Sequence, residues 1–528
     1  MSNHAYESAA ALRPSSNGPI PISTLCERFS LAPASAEDAA ALNDLSILGV
    51  SVDSADTAPG ELFVGLPGFT VHGARFAAEA VASGAVVVLT DADGAQIVHQ
   101  TAPGTPVLVH SDPRAVVGPL SAEVYHHPAR GLVTTAVTGT NGKTTTAYFL
   151  DAILSAHVGG CMVAGTVELR VGERSVESPR TTVEAPVLQR MMALAVEDKV
   201  GAASLEASSH AIVLHRLDGI VVDVAGFTNL QRDHLDFHKT MEGYLEAKAQ
   251  LFTPEHARRG VVCVDDQWGA ALAAEAPIEI DRVRAYPGDT PADWWVSDAA
   301  VSLTDSATTF TLHGPDGEKI EASCPLPGLV NVQNAALALV MAIRAGVPAA
   351  TATAALAGAH NIPGRMQRIS QRDGQRGLCI VDFAHTPDAM ELALKAVRPI
   401  TPGRLIVVFG SDGDRDQGKR PMLGEVCARL ADVLVVTDEN PRSEDPQLIR
   451  NAILEGVRGV RPDLTDVEEI TTWRGDAVRR GVELCGPDDT VIVTGKGHEP
   501  FLEMAGEFIR YNDAPVMAEA VEEKWGRA

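Results

Sequence analysis

The sequence is short of cations. Its 528 residues hold 43 Lys and Arg against 69 Asp and Glu, a formal net charge of −26. So acidic a balance argues against any broad surface for nucleic acid or an anionic membrane. It leaves an anionic small-molecule substrate open, provided that cations gather in local pockets. Cysteine is scarce and unpatterned: seven residues, at positions 26, 161, 263, 324, 379, 427 and 485, with no CxxC pair. That excludes a disulfide framework and a zinc ribbon, and favours a reducing compartment such as the cytoplasm. No uninterrupted apolar run approaches the roughly 18 residues of a membrane-spanning helix. No apolar stretch follows a basic start, so no signal peptide is expected. Internal repeats and low-complexity tracts are missing too. Residues 1–20, rich in Ser, Ala, Asn and Pro, read as a frayed tail.

What is present is an ordinary globular composition, 45% hydrophobic and 21% charged. At roughly 100–200 residues per domain, the length predicts about three domains. The first, 21–113, alternates short apolar runs with turns: Glu61 to Leu66, Ala85 to Leu89 and Pro106 to Val109, with a helix predicted over 74–82. This is a small α/β unit. The second, 114–363, opens with a strand over 132–138, a glycine turn and a helix. It includes a β-alternating stretch, 294–325, that reads as a side hairpin turning at 314–317, and then a helix over 331–345. The third, 364–528, carries four apolar strand candidates at 378–381, 405–409, 433–436 and 491–493, separated by helical segments. That alternation implies a parallel sheet, and the chain reads as α/β throughout.

Between the strand at 132–138 and its helix stands Gly139-Thr140-Asn141-Gly142-Lys143-Thr144-Thr145. Glycines let backbone N–H groups turn around phosphate oxygens, the helix N-terminus adds its positive dipole end, Lys143 adds a point charge, and the Thr144 hydroxyl can ligate Mg²⁺. Position 137 is Val, so the usual P-loop glycine spacing fails and the shorter form carries the signal. Three further segments are dense in chemistry. Glu206-Ala207-Ser208-Ser209-His210 follows an apolar run, where a carboxylate can bind a hard cation. Thr228 to His238 packs Arg232, Asp233, His234, Asp236 and His238 into one stretch, which is either a site or a polar surface loop. Lys248 lies on an apolar helical stripe with Met241, Tyr244, Leu245, Leu251 and Phe252. On spacing alone a lysine snorkelling from the helix edge is the better account, with a lysine turned toward the phosphate loop as the other.

In the third region each strand candidate is followed by a loaded loop: Asp382 to Pro387, Gly410 to Arg420, Thr437 to Pro446 and Gly495 to Glu499. Ligands gather at the carboxyl ends of parallel strands, so the four loops predict one binding face. Arg415 and Arg442 suit a carboxylate, and Glu499 an ammonium. A surface pair of Arg442 with Glu444 or Asp445 is the alternative.

The loop at 139–145 resembles the ATP loop of the Mur ligases, ATP-dependent amide-forming enzymes of cell-wall precursor synthesis; folylpolyglutamate synthetases share a related loop. The resemblance extends over most of the chain. It implies three domains: a UDP-sugar domain (21–113), a central P-loop ATPase-like parallel-sheet domain (114–363) and a C-terminal Rossmann-like amino-acid domain (364–528). It implies that Gly139, Thr140, Asn141, Gly142, Lys143, Thr144, Thr145, Asn334, Arg365 and Asp382 meet ATP, with Asn334 at the adenine, Arg365 near the phosphates and Asp382 at the ribose. Asn331 reads alternatively as the N-cap of that helix. By the same resemblance Thr144 serves one Mg²⁺, Glu206, His234 and Lys248 serve a second, and Lys248 is carbamylated into an anionic oxygen ligand. Val52, Ser54, Phe69, Thr70, Val71, Thr181, Thr182, Ser208 and Arg216 fall where the family holds the UDP-sugar peptide. The chain departs from the pattern at Ala55, Arg180 and Leu214, where Arg, Asn and Gln are common.

The C-terminal loops resemble those of the branch that joins a diamino acid to UDP-MurNAc-L-Ala-D-Glu. Arg415, Glu439, Asn440, Pro441, Arg442, Gly495 and Glu499 would read the incoming amino acid. Arg442 favours meso-diaminopimelate; Glu439, in place of the family's Asp, keeps L-lysine and L-ornithine open, and another Mur or folylpolyglutamate-type ligation is the remaining alternative. The expected cofactors are ATP and Mg²⁺, with neither nucleic acid nor a membrane span, in a cytoplasmic monomer.

Overall fold

The computed structural model describes residues 11–302, 307–359 and 362–526. It divides into two compact units, 1–295 with 336–355, and 296–335 with 356–528.

The first unit opens with a five-stranded sheet in the order Ala32–Pro33, Val107–Val109, Val87–Thr90, Glu61–Val64, Gly49–Ser51. All pairs but the first are parallel. Val87–Thr90 and Glu61–Val64 are buried at every position, as strands covered on both faces must be. The helix expected over 74–82 is a short 3₁₀ turn, Gly73–Phe76, running into an α-helix, Ala77–Ser83. Gly84, at φ 119°, ends it in the left-handed region where glycine carries no penalty.

The expected frayed tail, residues 1–20, is ordered where it is described. Residues 1–10 lie outside the described residues, but residues 12–17 are docked rather than frayed. Leu12 is fully buried. Arg13 pairs with Asp56 at 3.2 Å and with Glu61. The Ser15 N–H donates to Glu197 Oε2 at 2.9 Å, and Asn17 Nδ2 donates to Leu48 O and Val124 O. The physical reason is that Asp56 and Glu61 are buried carboxylates, and a buried charge requires a partner. Asp56 has a second one, the buried Arg190, at 2.9 Å.

The larger sheet of this unit places Val133–Thr138 between Ala202–Glu206 and Val222–Phe227, parallel to both. Cys161–Ala164 lies beyond Ala202–Glu206, while Ala257–Cys263 and Glu279–Arg284 extend the sheet on the other side. Strand order therefore reverses at Val133–Thr138. A crevice outside the carboxyl end of such a strand is where α/β sheets bind ligands. The helix Lys143–Val158 follows directly.

The second unit holds the hairpin Thr308–His313 with Lys319–Cys324, turning through Pro315–Gly317, where the alternation placed it. Its main sheet has the order Gln367–Ser370, Leu378–Val381, Thr490–Val493, Leu405–Phe409, Val433–Val436, Val467–Glu469. The four apolar strands are parallel and fully buried. Their following loops consequently emerge at one edge. The two outer strands were not expected; they are short and partly polar. The helix read as 331–345 is Leu329–Arg344. Asn331 thus lies inside it and is not its N-cap; its Nδ2 instead donates to Pro327 O at 2.8 Å. Among the described residues no helix is long and apolar enough to cross a membrane.

Candidate active site

Gly139 and Gly142 take φ values of 141° and 90°, and a side chain on Gly139 would collide with Thr228. The loop is held from outside by the segment that composition alone left as a possible surface loop. Thr140 N donates to Asn229 O at 2.9 Å and Asn141 N to Asn229 Oδ1 at 3.1 Å. Thr228 Oγ1 donates to Asn141 O, and Asn141 Nδ2 to Gln231 Oε1, both at 2.6 Å. The stretch after Phe227 is therefore a clamp on the phosphate loop. Thr144 and Thr145 are buried in the first turn of the helix.

Two lysines meet at this loop. Lys143 Nζ donates to Gly139 O and Thr140 O at 2.9 Å. Lys248 Nζ donates to the same Gly139 O at 2.9 Å. Lys248 is 1% exposed, so the snorkelling reading is overturned: its stem runs inward, with the amine 4.4 Å from the Tyr244 ring centre. Burial, reinforced by the Lys143 charge, pulls the Lys248 ammonium well below its usual range, against a weaker pull from Asp233. The inward turn follows from packing: Leu251 and Phe252 on the same stripe are core residues.

Glu206, buried at the end of its strand, accepts from the Thr144 hydroxyl at 2.9 Å and from Thr166 N at 2.8 Å. Thr144 and Glu206 are thus brought together. His234 is half exposed at φ 53°, its ring 4.8 Å from that of His210 and 6.2 Å from that of Tyr244. Among the described residues no three His, Cys, Asp or Glu side chains are grouped so as to hold a metal by themselves.

A cavity of about 250 Å³ is lined by Val52, Asp53 and Val71 from the small sheet, together with Arg114, Arg180 and Glu184. Ser54 is buried instead, donating to Glu79 Oε2 at 3.0 Å. Phe69 is 90% exposed and Thr70 is exposed; neither lines the cavity. Thr182 Oγ1 donates to Glu206 O at 2.7 Å and accepts from Ser208 N at 3.0 Å, tying two residues expected at the sugar peptide to Glu206. Thr181 lies beside Thr166. Arg216 Nε is 2.9 Å from Glu184 Oε1, and its NH1 donates to Thr182 O. Arg114 and Arg180 flank the same Glu184 at 3.2 and 3.1 Å. Three guanidiniums about one carboxylate leave a net positive charge, and burial holds the Arg216 pKa below its usual value despite Glu184. Sequence reasoning missed Arg114 and Glu184 altogether.

In the second unit the four loops do converge. Gly413 N donates to Asn440 O at 2.8 Å, and Lys419 Nζ donates to His385 O at 3.2 Å. Asn440 Nδ2 donates to Glu499 Oε2 at 3.0 Å. Arg442, at φ 55°, pairs with Glu503 at 3.2 Å and lies 3.8 Å from Asp412. The alternative, a surface pair with Glu444 or Asp445, does not form among the described residues; Glu444 is taken by Arg420. The backbone of Arg442 is fixed as well, its N donating to Glu503 O and its O accepting from Ala505 N, on the hairpin Phe501–Met504 with Glu507–Arg510. Arg415 stands exposed on its loop. Glu439 is buried, and burial with the Asp412 charge pushes its carboxyl up to about 8. Gly495, at φ 108°, lies against it: a Cβ there would come within 2.5 Å of Glu439 Oε2. Sequence reasoning placed Lys496 and Asp412 in the binding-face loops without giving them a role, and missed Glu503. The glycines on either side of Lys496 were the one visible signal.

Asp382 takes the Met366 and Ala384 N–H groups at 2.8 and 2.9 Å. Arg365 stacks over Phe383 at 4.2 Å, and a side chain on Gly364, at φ 64°, would strike His498 N. Arg365 and Asp382 are therefore neighbours in one packed turn. Asn334 is buried, with its Oδ1 lacking a hydrogen bond among the described residues.

Known proteins match this arrangement along the chain. Residues 46–125 match the Mur ligase family catalytic domain, 137–342 the Mur ligase middle domain and 364–497 the Mur ligase glutamate ligase domain. A UDP-N-acetylmuramoyl-L-alanyl-D-glutamate–2,6-diaminopimelate ligase of Streptomyces avermitilis is 43% identical over 483 residues, 92% of this chain and 94% of that protein. A UDP-N-acetylmuramyl-tripeptide synthetase of Leifsonia xyli is 42% identical over 508 residues, 95% of this chain and 96% of its own length. A solved structure of a UDP-N-acetylmuramoyl-L-alanyl-D-glutamate–2,6-diaminopimelate ligase superposes with a TM-score of 0.63 at 31% identity, covering 91% of this chain and 95% of that one. A folylpolyglutamate synthase of Mycobacterium tuberculosis shares the fold, with a TM-score of 0.55 at 19% identity over 77% of this chain and 94% of its own. With its phosphate loop, its clamp and its C-terminal loops in place, the chain belongs to the Mur ligase family.

Proposed function

We propose that this ligase joins meso-diaminopimelate to the D-Glu of UDP-MurNAc-L-Ala-D-Glu, at the cost of ATP, in peptidoglycan precursor synthesis. The observation that carries the reading is the C-terminal binding edge: Asn440 holds Glu499, Arg442 stands two residues on, and the chain is 43% identical to a ligase of that name. A zwitterion with a second amino-acid head needs an anion for its ammonium and a guanidinium for its distal carboxylate; Glu499 and Arg442 supply that pair.

ATP phosphorylates the D-glutamyl γ-carboxylate. The amine then attacks the acyl phosphate, the C–N bond forms, and inorganic phosphate leaves. Phosphoryl transfer of this kind depends mainly on positioning and charge. The loop amides of 139–145 cradle the phosphates, and Lys143, already at the lip of the loop, follows the transferring group. Asn334 is the adenine contact, Asp382 the ribose contact, and Arg365 the cation near the phosphates. Thr144 and Glu206, 2.9 Å apart, form an oxygen donor set that fits a hard cation. Thr144, Glu206, His234 and a carbamylated Lys248 would hold Mg²⁺, which offsets charge on the phosphates when bound. Burial eases loss of the Lys248 proton, and the neutral amine is the form that adds to carbon dioxide. Val52 and Val71 with the Arg114, Arg180 and Arg216 cluster receive the UDP-sugar peptide, alongside Ser54, Phe69, Thr70, Thr181, Thr182 and Ser208. The functional domains are 21–113, 114–363 and 364–528, in a cytoplasmic monomer.

A phosphate-release assay with ATP and UDP-MurNAc-L-Ala-D-Glu, comparing diaminopimelate, L-lysine and L-ornithine, tests this. Turnover with diaminopimelate well above the other two is expected. A preference for lysine or ornithine overturns the choice of amino acid, and turnover with none of them overturns the ligation.

A further inference from the structure

Lys496 is fully buried, yet its ammonium is surrounded by oxygen. It donates to Asn440 Oδ1 at 2.9 Å, to Phe501 O at 2.6 Å and to Glu499 Oε2 at 3.1 Å. An ammonium has three protons, and all three are used. Asn440 Oδ1 also accepts from Glu503 N at 3.2 Å, so both of its contacts are donors and the amide can face only one way. Its Nδ2 then points at Glu499 Oε2. One oxygen of Glu499 is held from two sides, and the side chain remains about one-third exposed. The local sequence explains how a lysine reaches this position. Gly495 and Gly497 take φ values of 108° and 52°, and a Cβ on Gly497 would come within 2.8 Å of Phe383. The Gly-Lys-Gly turn drives Lys496 inward.

We propose that Lys496 is a positioning residue for the incoming diamino acid: through Asn440 and Glu499 it orients the acceptor that receives the substrate's ammonium. This rests on the ligase reading above. It predicts an effect confined to one of the three substrates. Phosphate release by the full chain is measured for the wild type, Lys496→Met and Lys496→Arg, varying each substrate in turn. In Lys496→Met the KM for diaminopimelate rises about 30-fold or more, as when one partner of a buried charged network is removed. The KM values for ATP and UDP-MurNAc-L-Ala-D-Glu move by less than about threefold, and Lys496→Arg recovers part of the loss. A diaminopimelate KM that stays near the wild-type value, or three KM values rising together, overturns the proposal while leaving the ligase reading intact. A wild type without turnover overturns that reading and this proposal with it. If Lys496→Met shows no cooperative melting, Asn440→Asp carries the test. It leaves Lys496 its partner, replaces the donor to Glu499 with an acceptor, and should give the same KM split; an unchanged diaminopimelate KM overturns the proposal.

Discussion

The protein buries two lysines beside glycine turns at the ends of parallel strands, and the two surroundings are opposite. Lys248, near the phosphate loop, has one backbone carbonyl and a second cation for company. Lys496, near the amino-acid loops, has an amide oxygen, a carbonyl and a carboxylate. Burial is the same in both; the oxygens are not. Without a carboxylate the buried amine tends to shed its proton and becomes a nucleophile. With one, the lysine serves as a fixed cation that orders its neighbours. The glycine loop at 139–145 is accordingly built from backbone geometry, and the C-terminal loops from linked charges.

That contrast can be broken at Lys248 first. Lys248→Ala should lower turnover by about a hundredfold to a thousandfold, on the scale of losing a preorganised charge at a reacting centre, with partial rescue by a short-chain acid. Lys248→Arg should be equally inactive, since a guanidinium keeps its proton and forms no carbamate. An active Lys248→Arg would make Lys248 a plain cation like Lys496 and erase the contrast. Arg442→Lys comes next. Loss of the planar fork should raise the KM for diaminopimelate about tenfold to a hundredfold and narrow its advantage over L-lysine, with ATP binding unaffected. An unchanged selectivity ratio would place the discrimination elsewhere.

The last test, of stability rather than turnover, is at Glu439. Its folded-state pKa, about 8, stands above the ordinary 4.5. The folded chain thus holds a proton that the unfolded chain releases, so stability drawn from the neutral carboxyl is complete below about pH 4.5 and declines as pH rises toward 8. Relative to Glu439→Gln, the wild type should lose stability as pH rises across that window, and no further above it. Thermal melts of both proteins from pH 4 to 9 measure the difference; parallel profiles would show that Glu439 ionises freely in the folded chain.

Much of this arrangement can be read along the chain. Runs such as Leu405 to Phe409 announce strands buried on both faces, and glycines with Lys143-Thr144 between a strand and a helix announce a phosphate loop. What escapes reading depends on partners remote in sequence. Gln367–Ser370 and Val467–Glu469 are edge strands with no apolar run of their own. Lys248 looks like a snorkelling lysine until Gly139, 109 residues earlier, supplies its acceptor. Glu184 has Arg180 four residues before it, but nothing local announces Arg114 and Arg216 beside it.

The docked segment at Arg13 and Ser15 sets an order of events during synthesis. Arg13 leaves the ribosome 48 residues ahead of Glu61, and Ser15 leaves 182 residues ahead of Glu197. At about 5–20 residues per second, the first contact becomes possible within roughly 2–10 seconds and the second only after roughly 9–36 seconds. The small sheet can therefore capture its N-terminal arginine early, while the serine waits for the helix that ends at Glu197. Arg13 and Ser15 are thus fastened in two stages, the arginine first and the serine after it.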